Sequence, residues 1–227
     1  MTFVISECAI NFRDEREAAE MIKASADAGA DAVKFQFYSP EQVDYHPRKN
    51  ELICRCLTTS RVRFLAQQCD KTGIEFMATP MTVEAVRILA PCVKRWKIRY
   101  KDANNKEIGK AIKEESERQI LVSCDGPNHT IFHSLKYNGY DVRLMSVVPE
   151  YPPKKVFVPE VFTVFQGFSS HYPDWNIPLL AAKRGAEVIE VHTMLDSYSG
   201  GYSPIDAAVS ISMTDLGKLV KEIRRGK

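Results

Sequence analysis

Short, mostly apolar stretches recur along this chain, and most are followed by a segment of helical period. These stretches are TFVISECA (2–9), DAVKFQF (31–37), EFMATP (75–80), RWKIRY (95–100), QILVSC (119–124), VRLMSVV (142–148), FTVFQGFSS (162–170) and EVIEVHTML (187–195). They are rich in Val, Ile and Phe, as strands are. Between them, EREAAEMIKASADAG (15–29) places Ala18, Met21, Ile22 and Ser25 on one face and ends at Gly29, a good helix cap. TTSRVRFLAQQCDKTG (58–73), IPLLAAKRGA (177–186) and MTDLGKLVKEIRR (213–225) repeat the scheme, whereas the proline-rich 149–161 reads as irregular. Eight strands alternating with helices predict a (β/α)8 TIM barrel of the α/β class, a single domain over residues 1–227. An open doubly wound sheet is the alternative, but no G-x-G-x-x-G follows the first strand. The longest interruption, 38–57, follows strand 2, at the end of a barrel where loops build sites.

Strand side chains alternate between two faces. In the last strand, Ile189, Val191 and Thr193 then face the helices, leaving Glu190 and His192 inside. The same parity turns Ile5 and Glu7, Lys34 and Gln36, Lys97 and Arg99, and Leu121 and Ser123 inward, with Ser169 and His171 sharing a face. Taken singly, each polar residue reads as a satisfied core histidine or a snorkelling lysine. As a set they predict a site, because burying unpaired charge costs several kcal/mol per group. Lys34 and Lys97, with Thr79, Ser123 and Ser169, suit a phosphate or a phosphate-plus-carboxylate anion. His171 and His192 lie on neighbouring strands and suit one Mn²⁺, Fe²⁺ or Zn²⁺ ion, or else a pair hydrogen-bonded to carboxylates. Glu7, Asp102 and Glu190 remain as acid/base groups or supports for the ligands.

Other features read more plainly. His46 reads as an exposed loop residue, with a lid role open to it after strand 2, and His129 and His133 read as a solvated helix face. Trp175 either roofs the site or starts a helix, and SYSGGYSP (197–204) is a flexible loop beside His192 with a substrate-closing role open to it. A net charge of +2 argues against nucleic-acid or membrane-surface partners. No stretch approaches the roughly 20 apolar residues of a membrane span, and the first residues do not read as a leader. Six scattered cysteines without zinc-site spacing read as reduced thiols, so a cytoplasmic protein is expected.

Six blocks, in order, carry a resemblance to a known family: AGADAVKFQFY (28–38), GIEFMATPMTVEAV (73–86), KIRYKDANN (97–105), EYPPKKV (150–156), GFSSHYP (167–173) and GAEVIEVHTMLD (185–196). The chain resembles the sialic acid synthase family, which includes the legionaminate, pseudaminate and spore-coat polysaccharide synthases. The resemblance implies a (β/α)8 barrel that condenses phosphoenolpyruvate with an N-acyl hexosamine such as N-acetylmannosamine, releasing phosphate and a 2-keto-3-deoxy sugar acid. It implies a divalent metal, usually Mn²⁺, on His171 and His192. It implies phosphoenolpyruvate contacts from Lys34, Thr79, Lys97, Ser123 and Ser169, and sugar contacts from Gln36, Tyr151 and Asp206. Glu7 and Glu190 match acidic pocket residues, and Asp102 matches a catalytic carboxylate. The alternatives are a regulatory barrel that binds a sugar phosphate or phosphoenolpyruvate without turnover, and a metal-dependent aldolase.

The chain departs from the family pattern at Phe12, at Arg99-Tyr100-Lys101 in place of Gly-Ser-Gly, at Cys124-Asp125-Gly126, near Pro149 and at Ala207. Relatives commonly dimerise and carry a C-terminal antifreeze-like domain that supplies an arginine to the partner's sugar site. This sequence ends after the last barrel helix, so the expectation is a barrel alone, a homodimer, and a lid from a separate chain or an acceptor bound differently.

Overall fold

In the computed structural model, which describes residues 1–115, 117–126 and 139–226, the apolar stretches form eight strands: β1 (Phe3–Ala9), β2 (Ala32–Phe37), β3 (Glu75–Pro80), β4 (Trp96–Ile98), β5 (Ile120–Cys124), β6 (Val142–Val147), β7 (Gly167–Ser170) and β8 (Val188–Met194). All pair in parallel, in the order β3-β2-β1-β8-β7-β6-β5-β4. β3 and β4 lie side by side and bring the cylinder near closure. The fold is a (β/α)8 barrel. A two-residue strand, β9 (Ile211–Ser212), adds to β8.

The helices are α1 (Glu15–Asp27), α2 (Lys49–Arg55), α3 (Thr59–Thr72), α4 (Val83–Leu89), α5 (Lys106–Glu115), α6 (Asn176–Lys183) and α7 (Met213–Arg225). Local chemistry sets their ends. Asp14 accepts from the Glu17 amide to start α1, and Thr58 and Ser212 do the same for α3 and α7. Gly73, at φ +75°, ends α3 in the left-handed region that side chains disfavour.

Two strands are shorter than their patterns. β4 stops at Ile98, and Tyr100–Asp102 form a 3-10 turn. β7 starts only at Gly167: before it Val164 stays exposed, while Phe162 and Phe165 are partly buried against the outer shell. The excursion after β2 carries α2 as well as irregular chain.

Apolar residues form two concentric shells. The outer shell packs β-strand residues such as Val33, Trp96, Ile98 and Phe168 against the helices. The inner shell is a plug of Ile5, Ala32, Met77, Leu121, Met145 and Val188 inside the cylinder. A Cβ at Gly167 would meet Met145 Cγ and the Val188 carbonyl oxygen at 2.9 Å, so only glycine fits there. All six cysteines are free. No described helix is long and apolar enough to cross a membrane.

Candidate active site

Two residues beyond the apolar plug, the same strands turn polar. Ile5 gives way to Glu7, Ala32 to Lys34, Leu121 to Ser123 and Val188 to Glu190. Strand register aligns these groups: Glu7 pairs with Lys34 on one side and His192 on the other, and Ser169 pairs with Glu190. Lys34 forms ion pairs with Glu7 and with Glu190 (3.6 Å), and its Nζ donates to Thr79 Oγ1 at 2.9 Å. Lys97 reaches Glu190 Oε1 at 3.2 Å and donates to Ser123 Oγ at 2.8 Å. Ser169 Oγ donates to the same Glu190 oxygen at 2.8 Å.

Burial and charge divide the two carboxylates. Burial, with Glu190 nearby, outweighs Lys34 and raises Glu7 to about 7. For Glu190, Lys34, Lys97 and the Ser169 hydroxyl outweigh the burial penalty and lower it to about 2. Glu190 is therefore a fixed anion, whereas Glu7 exchanges its proton near neutral pH. Burial lowers Lys97, while for Lys34 the two carboxylates overcome burial and raise it.

The histidines stand beside this layer. Their ring centroids are 5.4 Å apart, and the Tyr151 ring lies 4.9 Å from His171 and 5.6 Å from His192. Burial lowers both imidazoles, and His171 lowers His192 further. His171 Nδ1 is 3.1 Å from the Val148 carbonyl oxygen, which must accept, so the Nε2 lone pair is left free. Asp206 Oδ2 lies 3.8 Å from His192 Nδ1, and both atoms are buried without a hydrogen-bond partner. Burial raises Asp206 to about 6.

These groups line one cavity of about 440 Å³, within the usual range for small-molecule sites. Glu7, Lys34, Gln36, Thr79, Lys97, Ser123, Tyr151, Ser169, His171, Glu190, His192 and Asp206 all face it. Asp102 does not line it. The carboxylate is buried on the turn after β4, where it accepts from Arg99 Nε at 2.5 Å and holds that guanidinium at the cavity wall.

Of the two readings of His46, exposed loop or lid, the cavity favours the second: it lines the wall with Gln42, Val43 and Tyr45 from the excursion after β2. Its Nδ1 accepts from the Arg48 amide at 3.0 Å, so Nε2 carries the proton. The position of that excursion was the available signal; its amino acids alone do not distinguish a roof from a solvated loop. Trp175 precedes α6 and packs on the outer shell. His129 and His133 lie outside the described residues.

A model of the NeuB family matches residues 21–227. The chain belongs to the NeuB family. It is 28% identical to an uncharacterized protein of Methanocaldococcus jannaschii, covering 98% of this chain and 70% of that one. It is 25% identical to a pseudaminic acid synthase of Campylobacter jejuni, covering 99% of this chain and 74% of that one. Its barrel is similar to the crystal structure of an N-acetylneuraminic acid synthetase from Leptospira borgpetersenii in complex with citrate. That match has a TM-score of 0.87 and 27% identity, over 99% of this chain and 83% of the other.

The departures of this NeuB chain have defined places. Phe12 sits in the outer shell, edge-on to Phe35 at 5.7 Å, and so leaves the cavity untouched. Arg99, Tyr100 and Lys101 line the cavity, and the Tyr100 hydroxyl donates to Asp125 Oδ2 at 3.0 Å, tying the β4 and β5 connections together. Among the described residues no cluster of three or more His, Cys, Asp or Glu is gathered for a metal. The two imidazoles that burial lowers are the nitrogen donors such an ion would find here, with its remaining positions left to substrate or water.

Proposed function

We propose that this chain condenses phosphoenolpyruvate with an N-acyl hexosamine to form a 2-keto-3-deoxy sugar acid of the sialic, pseudaminic or legionaminic type, with release of phosphate. The observation that carries this reading is the single cavity in which Lys34 and Lys97 face a pair of neutral histidines. Lys34 and Lys97, with Thr79, Ser123 and Ser169, offer cations and hydroxyls to a phosphate and a carboxylate. Glu190 holds the two lysines in place without titrating near neutral pH. Glu7 accepts or returns a proton at its carboxyl while water adds to C2 and phosphate leaves. Gln36, Tyr151 and Asp206 form the wall against which the sugar hydroxyls are oriented. His171 and His192 would hold a divalent metal, Mn²⁺ in our reading, which when bound supplies Lewis-acid polarisation of the sugar aldehyde.

The test is phosphate release from phosphoenolpyruvate with Mn²⁺ and a panel of N-acyl hexosamines. Release that depends on both Mn²⁺ and one sugar supports the reading; a folded protein that releases none with any sugar counts against it. A second reading, a barrel that binds the anion without turnover, is favoured by Tyr100 and Arg99 at the cavity wall. It requires phosphoenolpyruvate binding that survives His171→Ala together with absence of phosphate release.

A further inference from the structure

The connection after β8 is tied to the rim of the barrel through an aromatic ring. Tyr202 lies beside three guanidinium groups, with Cζ of Arg55, Arg13 and Arg48 at 5.3, 5.4 and 5.6 Å from the ring centroid. Arg13 comes from the β1–α1 connection, whereas Arg48 and Arg55 come from the excursion after β2. Carboxylates already fix the cations: Glu17 pairs with Arg13, and Glu51 pairs with both Arg48 and Arg55. The buried Tyr202 hydroxyl also faces Arg48 and Arg55, so the arginines hold both the ring and its polar end.

From Tyr202 a chain of contacts runs to the cavity. Its ring meets Tyr198 edge-on at 5.3 Å. The Tyr198 hydroxyl donates to the Asn11 carbonyl oxygen at 2.7 Å and accepts from the Leu195 amide at 3.2 Å. The buried Asn11 side chain accepts from the Asp206 amide at 2.8 Å and donates to the Thr193 carbonyl oxygen and Ser210 Oγ, both at 2.9 Å. Asp206 then presents its carboxylate beside His192. Tyr202 itself is absent from the cavity wall.

We propose that Tyr202 is a positioning residue: caged by Arg13, Arg48 and Arg55, it clasps the β8 connection to two others and so fixes Asp206 against the acceptor sugar. What Asp206 meets rests on the condensation reading above; the clasp does not. The test compares Tyr202→Phe, which keeps the ring, with Tyr202→Leu, which keeps bulk but lacks the π face. In Tyr202→Leu the backbone amides of Ser203 and 205–210 exchange with solvent roughly tenfold faster than in the wild type, whereas Tyr202→Phe, which loses only the hydroxyl contacts, stays within about threefold of it. In steady state with phosphoenolpyruvate, Mn²⁺ and a turned-over N-acyl hexosamine, Tyr202→Leu raises the KM for the sugar roughly tenfold and leaves that for phosphoenolpyruvate within about twofold. Equal exchange in Tyr202→Leu and wild type overturns the proposal. So does a Tyr202→Phe protein that behaves like Tyr202→Leu, or a phosphoenolpyruvate KM that rises as much as the sugar KM. A wild type that releases no phosphate, with the exchange difference intact, sinks the condensation reading and leaves the clasp standing. Should Tyr202→Leu fail to fold, Arg48→Gln is measured in the same way, with roughly threefold faster exchange supporting the clasp and none opposing it.

Discussion

The lower and upper halves of the barrel interior are built from the same strands, two residues apart, yet they obey opposite rules. The lower half is the dry plug of Ile5, Ala32, Met77, Leu121, Met145 and Val188. The upper half holds Glu7, Lys34, Lys97, Glu190 and His192, equally buried and almost all charged or titratable. The plug is stabilised by removing apolar area from water. The charged layer is held by mutual pairing, which at best offsets its desolvation. One half makes the cylinder stable, and the other spends part of that stability on a site.

Substitutions in the two halves therefore separate activity from stability. If the proposed condensation holds, the largest effect is expected from Lys97→Ala, which removes a cation from the cavity while leaving Glu190 paired with Lys34: phosphate release falls by about 10²–10³-fold, read as kcat/KM for phosphoenolpyruvate. Leu121→Ala, in the plug, should instead cost about 2–5 kcal/mol in denaturant unfolding, with phosphoenolpyruvate affinity retained by the folded protein. Gly167→Ala forces a methyl group onto the Val188 carbonyl oxygen and Met145, costing about 1–3 kcal/mol by the same measurement.

The smallest effect is the sharpest probe of the charged layer. Glu7 sits at about 7 in the folded chain against an ordinary 4.5, so the folded state holds more protons between those values. Its contribution to stability is complete below about 4.5 and is lost as pH rises through about 7. Ionised Glu7 also adds negative charge beside Lys34, so phosphoenolpyruvate affinity should weaken by up to about tenfold per pH unit above that value. Titration calorimetry across this range should find that step in the wild type and lose it in Glu7→Gln, where the contribution of Asp206 near 6 remains.

Much of this layout was legible before the fold was known. Strict alternation in VIEVHTM already assigned Glu190 and His192 to one face and Ile189 and Val191 to the other. Where the pattern misled, the cause was local. FTVFQ is rich in strand-forming residues, but Val164 stays exposed while Phe162 and Phe165 are only partly buried against the outer shell, and no strand forms before Gly167. RWKIRY reads as six residues of strand, yet Tyr100–Asp102 turn away and carry Asp102 off the cavity wall.

Periodicity, caps and polar residues at inward positions are properties of neighbouring residues, so the sequence alone determined the strands, the principal helix ends and which strand face carries charge. Distances between residues far apart in the chain follow from register and closure. Only the folded barrel decided that His46 joins the cavity, that Asp102 serves Arg99, and that three arginines from two connections meet one tyrosine from a third. Those contacts lie between loops whose sequences carry no period, and their partners are chosen by where the closed cylinder places its rims.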